Sequence, residues 1–232
     1  MSEFFLELFS EEIPSRLQIN ARSDLVLIFN KFFEDNEIII KDKINVYSTP
    51  NRLIVHINKI SKEVNKKAEE IRGPNINAPE KALEGFLKSN NIGKEKVFKK
   101  NTEKGIFYFY NKPSQIVKTF DLLQDNITSL LLKISWKKSM KWGNHDLYWG
   151  RPLKSILALF DKKIIDFELN HLQSSNKTFV DKDLEEDVKI FNDFKSYLKF
   201  FKKKGITIDP VSYTHLRAHE TPEHLVCRLL LE

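Results

Sequence analysis

The sequence predicts a mixed α/β (α+β) fold in which helices pack on antiparallel or mixed sheets. Apolar residues recur every three or four positions across Ser15–Asp35 and again from Gln115 to Ile134, which is typical of amphipathic helices. Short β-branched and aromatic runs, bounded by glycine, proline and asparagine, lie between these helices and indicate strands. Helices and strands therefore alternate along a chain that shows no internal repeat.

The N-terminal part predicts a strand, a helix and a hairpin. The apolar run Phe4–Phe9 is of strand type, and the helix over Ser15–Asp35 follows it. The runs Ile44–Tyr47 and Leu53–Ile57 are separated by turn residues that include Pro50, so we expect a hairpin-like corner there.

The middle of the chain predicts a short helix, an aromatic strand and a long helix. Glycine and proline in Arg72–Pro74 indicate a corner. Pro79 suits the first turn of a helix, which we expect to end near Gly93. The aromatic run at 106–110 indicates a strand, and the long helix occupies Gln115–Ile134.

The last predicted elements are a hairpin and a helix. Ser155–Phe160 and Ile164–Leu169 flank Asp161–Lys163 and form the predicted hairpin. A final helix is expected over Asp193–Lys204, with lysines in its last turn, where cations suit the helix dipole, and with Gly205 as its cap.

The composition indicates a globular chain with a mildly basic surface. Of 232 residues, 41% are hydrophobic, and 38 basic residues are interspersed with 32 acidic ones to give a net charge of +6. The N-terminus carries four glutamates in its first fourteen residues and has no cationic region, which argues against a signal peptide. With no long unbroken apolar window, the sequence predicts a soluble, cytoplasmic protein without a membrane partner.

Residues 211–232 differ in composition from everything before them. The stretch drops the lysine, asparagine and isoleucine bias, and it contains the only cysteine and His215, His219 and His224. It resembles the translation of a sequencing-library adapter, so we expect a disordered or non-native tail after a genuine region at 1–210. The genuine region then has no cysteine, which excludes disulfides, thiolate nucleophiles and cysteine-ligated zinc.

Few residues have the pattern of a catalytic site. Glu11 and Glu12 are neighbours whose side chains diverge, whereas acid and base pairs converge. His145-Asp146 is a dipeptide found in metal phosphohydrolases, but further ligands are scarce in the genuine region. The chain has no phosphate-binding loop, dinucleotide fingerprint or nucleophile elbow. We therefore expect no catalytic, cofactor-binding or metal-binding residues.

Cations at predicted corners are the better candidates for a binding surface. They are Arg52, Arg72, Lys141 and Arg151. Arginine on a turn is well placed for phosphate contact, and an aromatic residue beside a cation can stack on an unpaired base. The alternative is that the arginines tie loops to carbonyl oxygens and that the three tryptophans belong to the core, and residue patterns alone favour this alternative.

Five motifs nevertheless resemble the N-terminus of the β subunit of bacterial tetrameric glycyl-tRNA synthetase. They occur in the family's order and at its approximate separations: LELFSEEIP at 6–14, STPNRLIV at 48–55, RGP at 72–74, MKWG at 140–143 and GRPL at 150–153. The resemblance extends from residue 3 to about residue 170, which suggests the truncated N-terminal region of a longer subunit.

The resemblance implies a role in ATP-dependent attachment of glycine to tRNA by an α₂β₂ ligase. In that family the class II catalytic core, which uses ATP and Mg²⁺, belongs to the α subunit, and the β subunit is a tRNA-binding platform. The implied partners are therefore the α subunit and tRNA(Gly), the fragment itself is expected to be non-catalytic and to bind no cofactor, and Arg52, Arg72, Lys141 and Arg151 become candidate tRNA contacts.

One stretch departs from the family pattern, and two other functions remain open. Where family members usually carry Gly-His-Arg-Phe, this chain reads Ser-Asn-Lys-Thr-Phe at 175–179, so Lys177 is at best a partial replacement. The alternatives are a free-standing RNA-binding module, with binding that falls steeply as salt rises, or a metal phosphohydrolase that uses His145 and Asp146.

Overall fold

The computed structural model describes residues 1–66, 69–90, 92–102, 105–180 and 188–208. The tail at 211–232 lies outside these residues, so its non-native character stays a prediction. The chain divides into two compact units, a larger one formed by Met1–Lys62 with the chain from Lys118 onward and a smaller one formed by Glu63–Val117. Among the described helices, none combines the length and apolar character that crossing a membrane requires.

The predicted mixture of helices and strands is confirmed. The α-helices are α1 (Ser15–Asp35), α2 (Glu80–Asn90), α3 (Thr119–Leu131) and α4 (Phe194–Lys203). The strands are β1 (Ser2–Ser10), β2 (Asn45–Thr49), β3 (Arg52–Ile60), β4 (Glu63–Lys66), β5 (Glu69–Asn75), β6 (Val97–Thr102), β7 (Gly105–Lys112), β8 (Gln115–Lys118), β9 (Leu153–Phe160), β10 (Lys163–Ile164), β11 (Glu168–Leu169), β12 (Leu172–Ser175), β13 (Lys177–Phe179) and β14 (Val188–Ile190).

The larger unit is built on a mixed sheet in the order β11-β12-β9-β1-β3-β2, with β10 added to β9. Strand β1 pairs antiparallel with both β3 and β9, whereas β12 pairs parallel with β9. Strand β1 is central and buried on both faces, which is why its sequence is an almost unbroken apolar run.

Helices cover both faces of this sheet, and alternate residues of β1 contact them. Phe4 packs against Phe29 of α1, with ring centroids 5.6 Å apart. Its neighbour Phe5 points to the other face and packs against Phe194 and Tyr197 of α4, at 5.1 and 4.9 Å. The alternation follows from the two-residue period of a strand, and it places Glu7 on the α4 side.

Several predicted elements are confirmed at their predicted positions. Helix α1 has the predicted bounds, and β2 and β3 form the antiparallel hairpin. The Asp193 side chain caps α4 by accepting a 2.7 Å hydrogen bond from the backbone N–H of Ser196, and Gly205 follows the helix with φ of +76°. The capping and turn residues near these elements were therefore sufficient to predict where the elements begin and end.

Two boundaries were predicted wrongly. Gln115–Lys118 is strand β8, paired with β4, and the long helix begins only at Thr119 and ends at Leu131. The three- and four-residue spacing of apolar residues includes Ile116, which is why the sequence predicted a helix there. In the structure the Ile116 side chain is exposed and lies in a strand. In the second hairpin only Lys163–Ile164 pairs with β9, whereas Glu168–Leu169 pairs with β12.

The smaller unit contains a three-stranded antiparallel sheet in the order β5-β7-β6 and helix α2. The corner predicted at Arg72–Pro74 is wrong, since these residues lie within β5. Strand β5 is at the sheet edge and its register shifts between Arg72 and Asn75, which is how a strand accommodates proline. Helix α2 ends at Asn90, three residues before Gly93.

Candidate nucleic-acid interface

Arg52 begins β3 directly after the hairpin turn, as predicted, but its side chain points into the protein. It is only 3% exposed, and its Nε donates a 2.9 Å hydrogen bond to Oε1 of Glu7. Its Nη2 donates to the backbone oxygens of Phe179 and Val180. The guanidinium therefore connects the central strand to the segment that contains β13.

Aromatic rings enclose this buried ion pair from both sides. The Cζ atom of Arg52 lies 4.6 Å from the ring centroids of Phe9 and of Phe201. Tyr197 of α4 donates its hydroxyl hydrogen to the same Oε1 of Glu7. Burial raises the pKa of Glu7, and the charge of Arg52 opposes that shift.

The buried position of Arg52 matches the structural alternative, in which an arginine ties loops to carbonyl oxygens. Its Nε and Nη2 donate inside the larger unit, aromatic rings lie against its guanidinium, and the side chain is buried, so Arg52 is not placed to contact RNA. The sequence did carry a signal for this arrangement, because Glu7 interrupts the apolar run of a central strand. A buried carboxylate of this kind needs a cationic or donor partner.

A connector formed by residues 132–152 joins α3 to β9, and tryptophans anchor it. Trp149 is buried and packs against Trp136 with ring centroids 5.2 Å apart. The backbone of Met140 exchanges two hydrogen bonds with that of Trp149, at 2.8 and 3.1 Å. Gly150 lies directly against the Trp136 ring. Trp149 therefore matches the alternative in which the tryptophans belong to the core, whereas Trp136 and Trp142 are only partly buried.

Lys141 is exposed on the connector, but it has a partner. Its Nζ donates a 2.8 Å hydrogen bond to Oδ1 of Asp146 and lies 5.0 Å from the ring centroid of Tyr148. The hydrogen bond and charge of Asp146 raise the pKa of Lys141, and those of Lys141 lower the pKa of Asp146. Arg151, at the end of the connector, is half-buried and donates a 3.1 Å hydrogen bond to the Gly150 carbonyl.

The two residues of the dipeptide His145-Asp146 make separate interactions, and Asp146 pairs with Lys141. The His145 ring stacks on His171, with centroids 3.4 Å apart and planes 8° apart, and the edge of Trp142 contacts His171 at 5.6 Å. Burial and the neighbouring His145 lower the pKa of His171. Within the described ranges, no group of three or more histidine, cysteine, aspartate or glutamate side chains has the arrangement to hold a metal ion.

Arg72 lies in the smaller unit and is exposed. Its Cζ is 3.7 Å from the ring centroid of Phe107 on the neighbouring strand. The same sheet carries Phe98, whose ring stacks on Phe109 at 6.2 Å, and Lys100, whose Nζ lies 5.4 Å from the Phe109 centroid. The sequence singled out Arg72 but missed the sheet around it, because the sequence does not show which strands pair.

The five motifs can now be placed in the fold. LELFSEEIP covers the second half of the central strand β1 and the turn to α1, and STPNRLIV covers the hairpin between β2 and β3. RGP lies in β5, MKWG lies in the connector, and GRPL joins the connector to β9. A family model described as the glycyl-tRNA synthetase beta subunit matches residues 4–219. The chain belongs to this family. The match covers far more than half of the chain, so the resemblance seen in five short motifs is confirmed.

Curated members of the glycyl-tRNA synthetase beta subunit family are similar over most of this chain. The glycine–tRNA ligase beta subunit of Rickettsia bellii (strain OSU 85-389) is 39% identical over 201 residues, which is 85% of this chain and 30% of that protein. That of Rickettsia prowazekii (strain Madrid E) is 40% identical over 179 residues, which is 77% of this chain and 27% of that protein. The chain thus spans less than a third of the length of these relatives.

The stretch at 175–179, where the resemblance predicted Gly-His-Arg-Phe, lies next to the buried ion pair. Phe179, the residue that matches the predicted pattern, stacks on Phe9 at 5.7 Å. Thr178 is buried, and its hydroxyl helps to counter the rise in the pKa of Glu7. Lys177 is exposed. This stretch therefore contributes a buried threonine and a partly buried phenylalanine to the packing of the larger unit.

Proposed function

We propose that this chain is the N-terminal part of the β subunit of a cytoplasmic glycine–tRNA ligase and that it supports glycylation of tRNA(Gly) without an active site of its own. It contributes to assembly with the α subunit, where ATP and Mg²⁺ are used, and to tRNA contact. The observation that carries the proposal is the similarity to glycine–tRNA ligase beta subunits over 85% of the chain. Neither a free-standing RNA-binding module nor a metal phosphohydrolase is favoured by a comparable observation.

The connector supports the tRNA-contact part of this proposal. It exposes Lys141 and Tyr148 beside each other. Arg151 lies two residues after Trp149, whose buried ring anchors this part of the connector. Lys141 and Arg151 are the two residues that we propose as phosphate contacts on this unit. A phosphate must compete with Asp146 for Lys141, so the ion pair lowers the affinity of the free connector for RNA.

The assembly part is tested by glycylation with a chimaeric β subunit. Residues 1–208 of this chain replace the matching region of the R. bellii subunit, and the product is combined with the R. bellii α subunit, tRNA(Gly), glycine and ATP. We expect the chimaera to form glycyl-tRNA, and this chain to form none alone or with the α subunit. Glycylation by the chain alone, or an assembled but inactive chimaera, would contradict the proposal.

The connector is tested with single substitutions in the same chimaera. Lys141→Ala and Arg151→Ala should weaken tRNA binding without lowering the melting temperature, whereas Asp146→Asn should strengthen binding because it releases Lys141. Lys31→Ala, which removes an exposed charge from α1, is the matched control and should leave binding unchanged. If Lys141→Ala and Arg151→Ala lowered the melting temperature and left tRNA binding unchanged, both residues would stabilise the fold without contacting tRNA.

A further inference from the structure

We propose that one face of the three-stranded sheet in the smaller unit binds unpaired nucleotides of an RNA. This aromatic–cation face is defined by the exposed or partly exposed side chains of Arg72, Phe98, Lys100 and Phe107 over the buried ring of Phe109. The inference rests on the proposed function only for the identity of the natural RNA, which is then tRNA(Gly).

The strand register places these side chains on one face. Arg72 of β5 and Phe98 of β6 are both paired with Phe109 of the middle strand β7, and Lys100 is paired with Phe107. Directly paired residues of antiparallel strands point to the same side of a sheet. The observed ring and cation contacts agree with this assignment, because each joins members of the face.

The exposed ring and guanidinium of this face offer flat surfaces on which unpaired bases can stack. The guanidinium of Arg72 lies 3.7 Å from the Phe107 centroid, so the ring covers one side of the cation, and the Arg72 side chain is exposed. Phe98 is 37% exposed, which is unusual for a phenylalanine side chain in a strand and leaves a π surface accessible. Unpaired bases stack on aromatic rings and on guanidinium planes, whereas the bases of an RNA duplex are already stacked on each other.

The charge of the smaller unit suits the phosphates between those bases. Residues 63–117 contain eleven lysines and arginines and seven glutamates, so they carry +4 of the chain's net charge of +6. Lys100 pairs with Glu70 at 2.7 Å, and in the part of the chain that the structure describes no carboxylate forms an ion pair with Arg72. Arg72 therefore supplies a net positive charge at the open edge strand of the sheet.

The opposite face offers a matched control. Lys99 follows Phe98 in β6, is equally exposed, and is paired with Tyr108, so its side chain points to the other side of the sheet. Lys99→Ala removes a lysine charge from the strand that carries Phe98, together with the contact between Lys99 Nζ and the Tyr108 ring, whose centroid is 6.0 Å away. If RNA binding depended only on charge, Lys99→Ala would weaken it, whereas stacking on the aromatic–cation face is lost only in variants of that face.

The test uses the full chain and a fluorescently labelled single-stranded RNA of about 12 nucleotides, alone or annealed to its complement. We expect the single strand to bind more tightly than the duplex. Phe98→Ala and Arg72→Lys, which keeps the charge but lacks the planar group, should each weaken binding about fivefold or more, and Lys99→Ala less than about twofold. Phe98→Leu keeps an apolar side chain without a π face and should weaken binding like Phe98→Ala.

Equal binding of wild type and Arg72→Lys, or equal loss in Lys99→Ala, would overturn the assignment of the site to this face. Duplex binding as tight as single-strand binding would overturn the stacking mechanism. If Phe98→Ala does not fold, as judged by circular dichroism, Phe98→Leu and Arg72→Lys decide the question. The result is separable from the proposed function, because an inactive chimaera can still bind this RNA and an active one can fail to bind it.

Discussion

Arg52 and Arg72 both lie against phenylalanine rings, yet they belong to opposite kinds of environment. Arg52 is enclosed between two rings in the larger unit, and a buried carboxylate and two carbonyl oxygens accept its hydrogen bonds. Arg72 covers one ring of a small sheet and is exposed. The comparison shows that the same pairing of residue types is enclosed in the core of one unit and lies at the surface of the other, where we propose that it binds RNA.

The difference arises from the strand on which each arginine lies. Arg52 starts a strand next to the central strand β1, where helix α4 covers the face and every donor must find an acceptor. Arg72 lies on the edge strand β5, where one side of the sheet ends. Position in the sheet, which the local sequence does not encode, therefore decides whether an arginine is structural.

The largest effect is expected from Arg52→Ala. It leaves Glu7 buried without its cation, and breaking a buried pair in this way costs about 3–5 kcal/mol of unfolding free energy. All three tryptophans lie in the larger unit, so their fluorescence during denaturant unfolding reports on this unit. If Arg52→Ala lowered the unfolding free energy as little as Arg72→Ala does, the two arginines would not differ in their contribution to stability.

A substitution in the connector should cost less. In Gly150→Ala the added Cβ would overlap the Trp136 ring, and overpacking of this kind costs about 1–3 kcal/mol. Gly85→Ala is the control in the smaller unit, since a Cβ there meets no neighbour within 4 Å and helix α2 should gain about 0.5–1 kcal/mol. Thermal unfolding followed by circular dichroism measures the stability of both variants. If both substitutions raised the melting temperature, or both lowered it, the result would contradict the packing seen at Gly150.

The stability of the larger unit should depend on pH through Glu7. Burial raises its pKa above the ordinary 4.5, so its contribution to folding is complete below that pH and is lost as the pH rises through the folded-state pKa. The unfolding free energy of wild type relative to Glu7→Gln should therefore fall above pH 4.5, by at most about 1.4 kcal/mol per pH unit. A relative stability that increases over this range would mean that Arg52 outweighs burial and lowers the pKa.

The smallest stability effect is expected from Arg72→Ala. An exposed cation over a ring contributes about 0.5–1 kcal/mol, so the melting temperature should change little. The control is Lys99→Ala on the opposite face, with a similar small change. A loss comparable to that of Arg52→Ala would show that Arg72 is also a structural residue.

The sequence predicted the elements whose signals are local. The run Phe4–Phe9, the periodicity of α1 and the cap residues Asp193 and Gly205 each depend on neighbouring residues, and each appears where it was expected. Gln115–Lys118 was assigned to a helix because strand β8 exists only through its pairing with β4. Glycine and proline at Arg72–Pro74 suggested a corner, but an edge strand tolerates them.

The candidate site was predicted less completely, since it depends on contacts between distant residues. The sequence identified four cations but could not show that Glu7 and Tyr197 bind Arg52, or that Asp146 binds Lys141. The five motifs identified the family correctly. They did not indicate the aromatic–cation face, of which only Arg72 lies in a motif.

Hydrogen–deuterium exchange of the chain with and without the single-stranded RNA tests the roles of the two arginines most directly. We expect RNA to slow exchange in the strands Glu69–Asn75, Val97–Thr102 and Gly105–Lys112 of the smaller unit, and to leave exchange unchanged in Arg52–Ile60, where the buried arginine lies. Protection confined to the larger unit, or no protection in the three strands at saturating RNA, would contradict the division of roles between the two arginines.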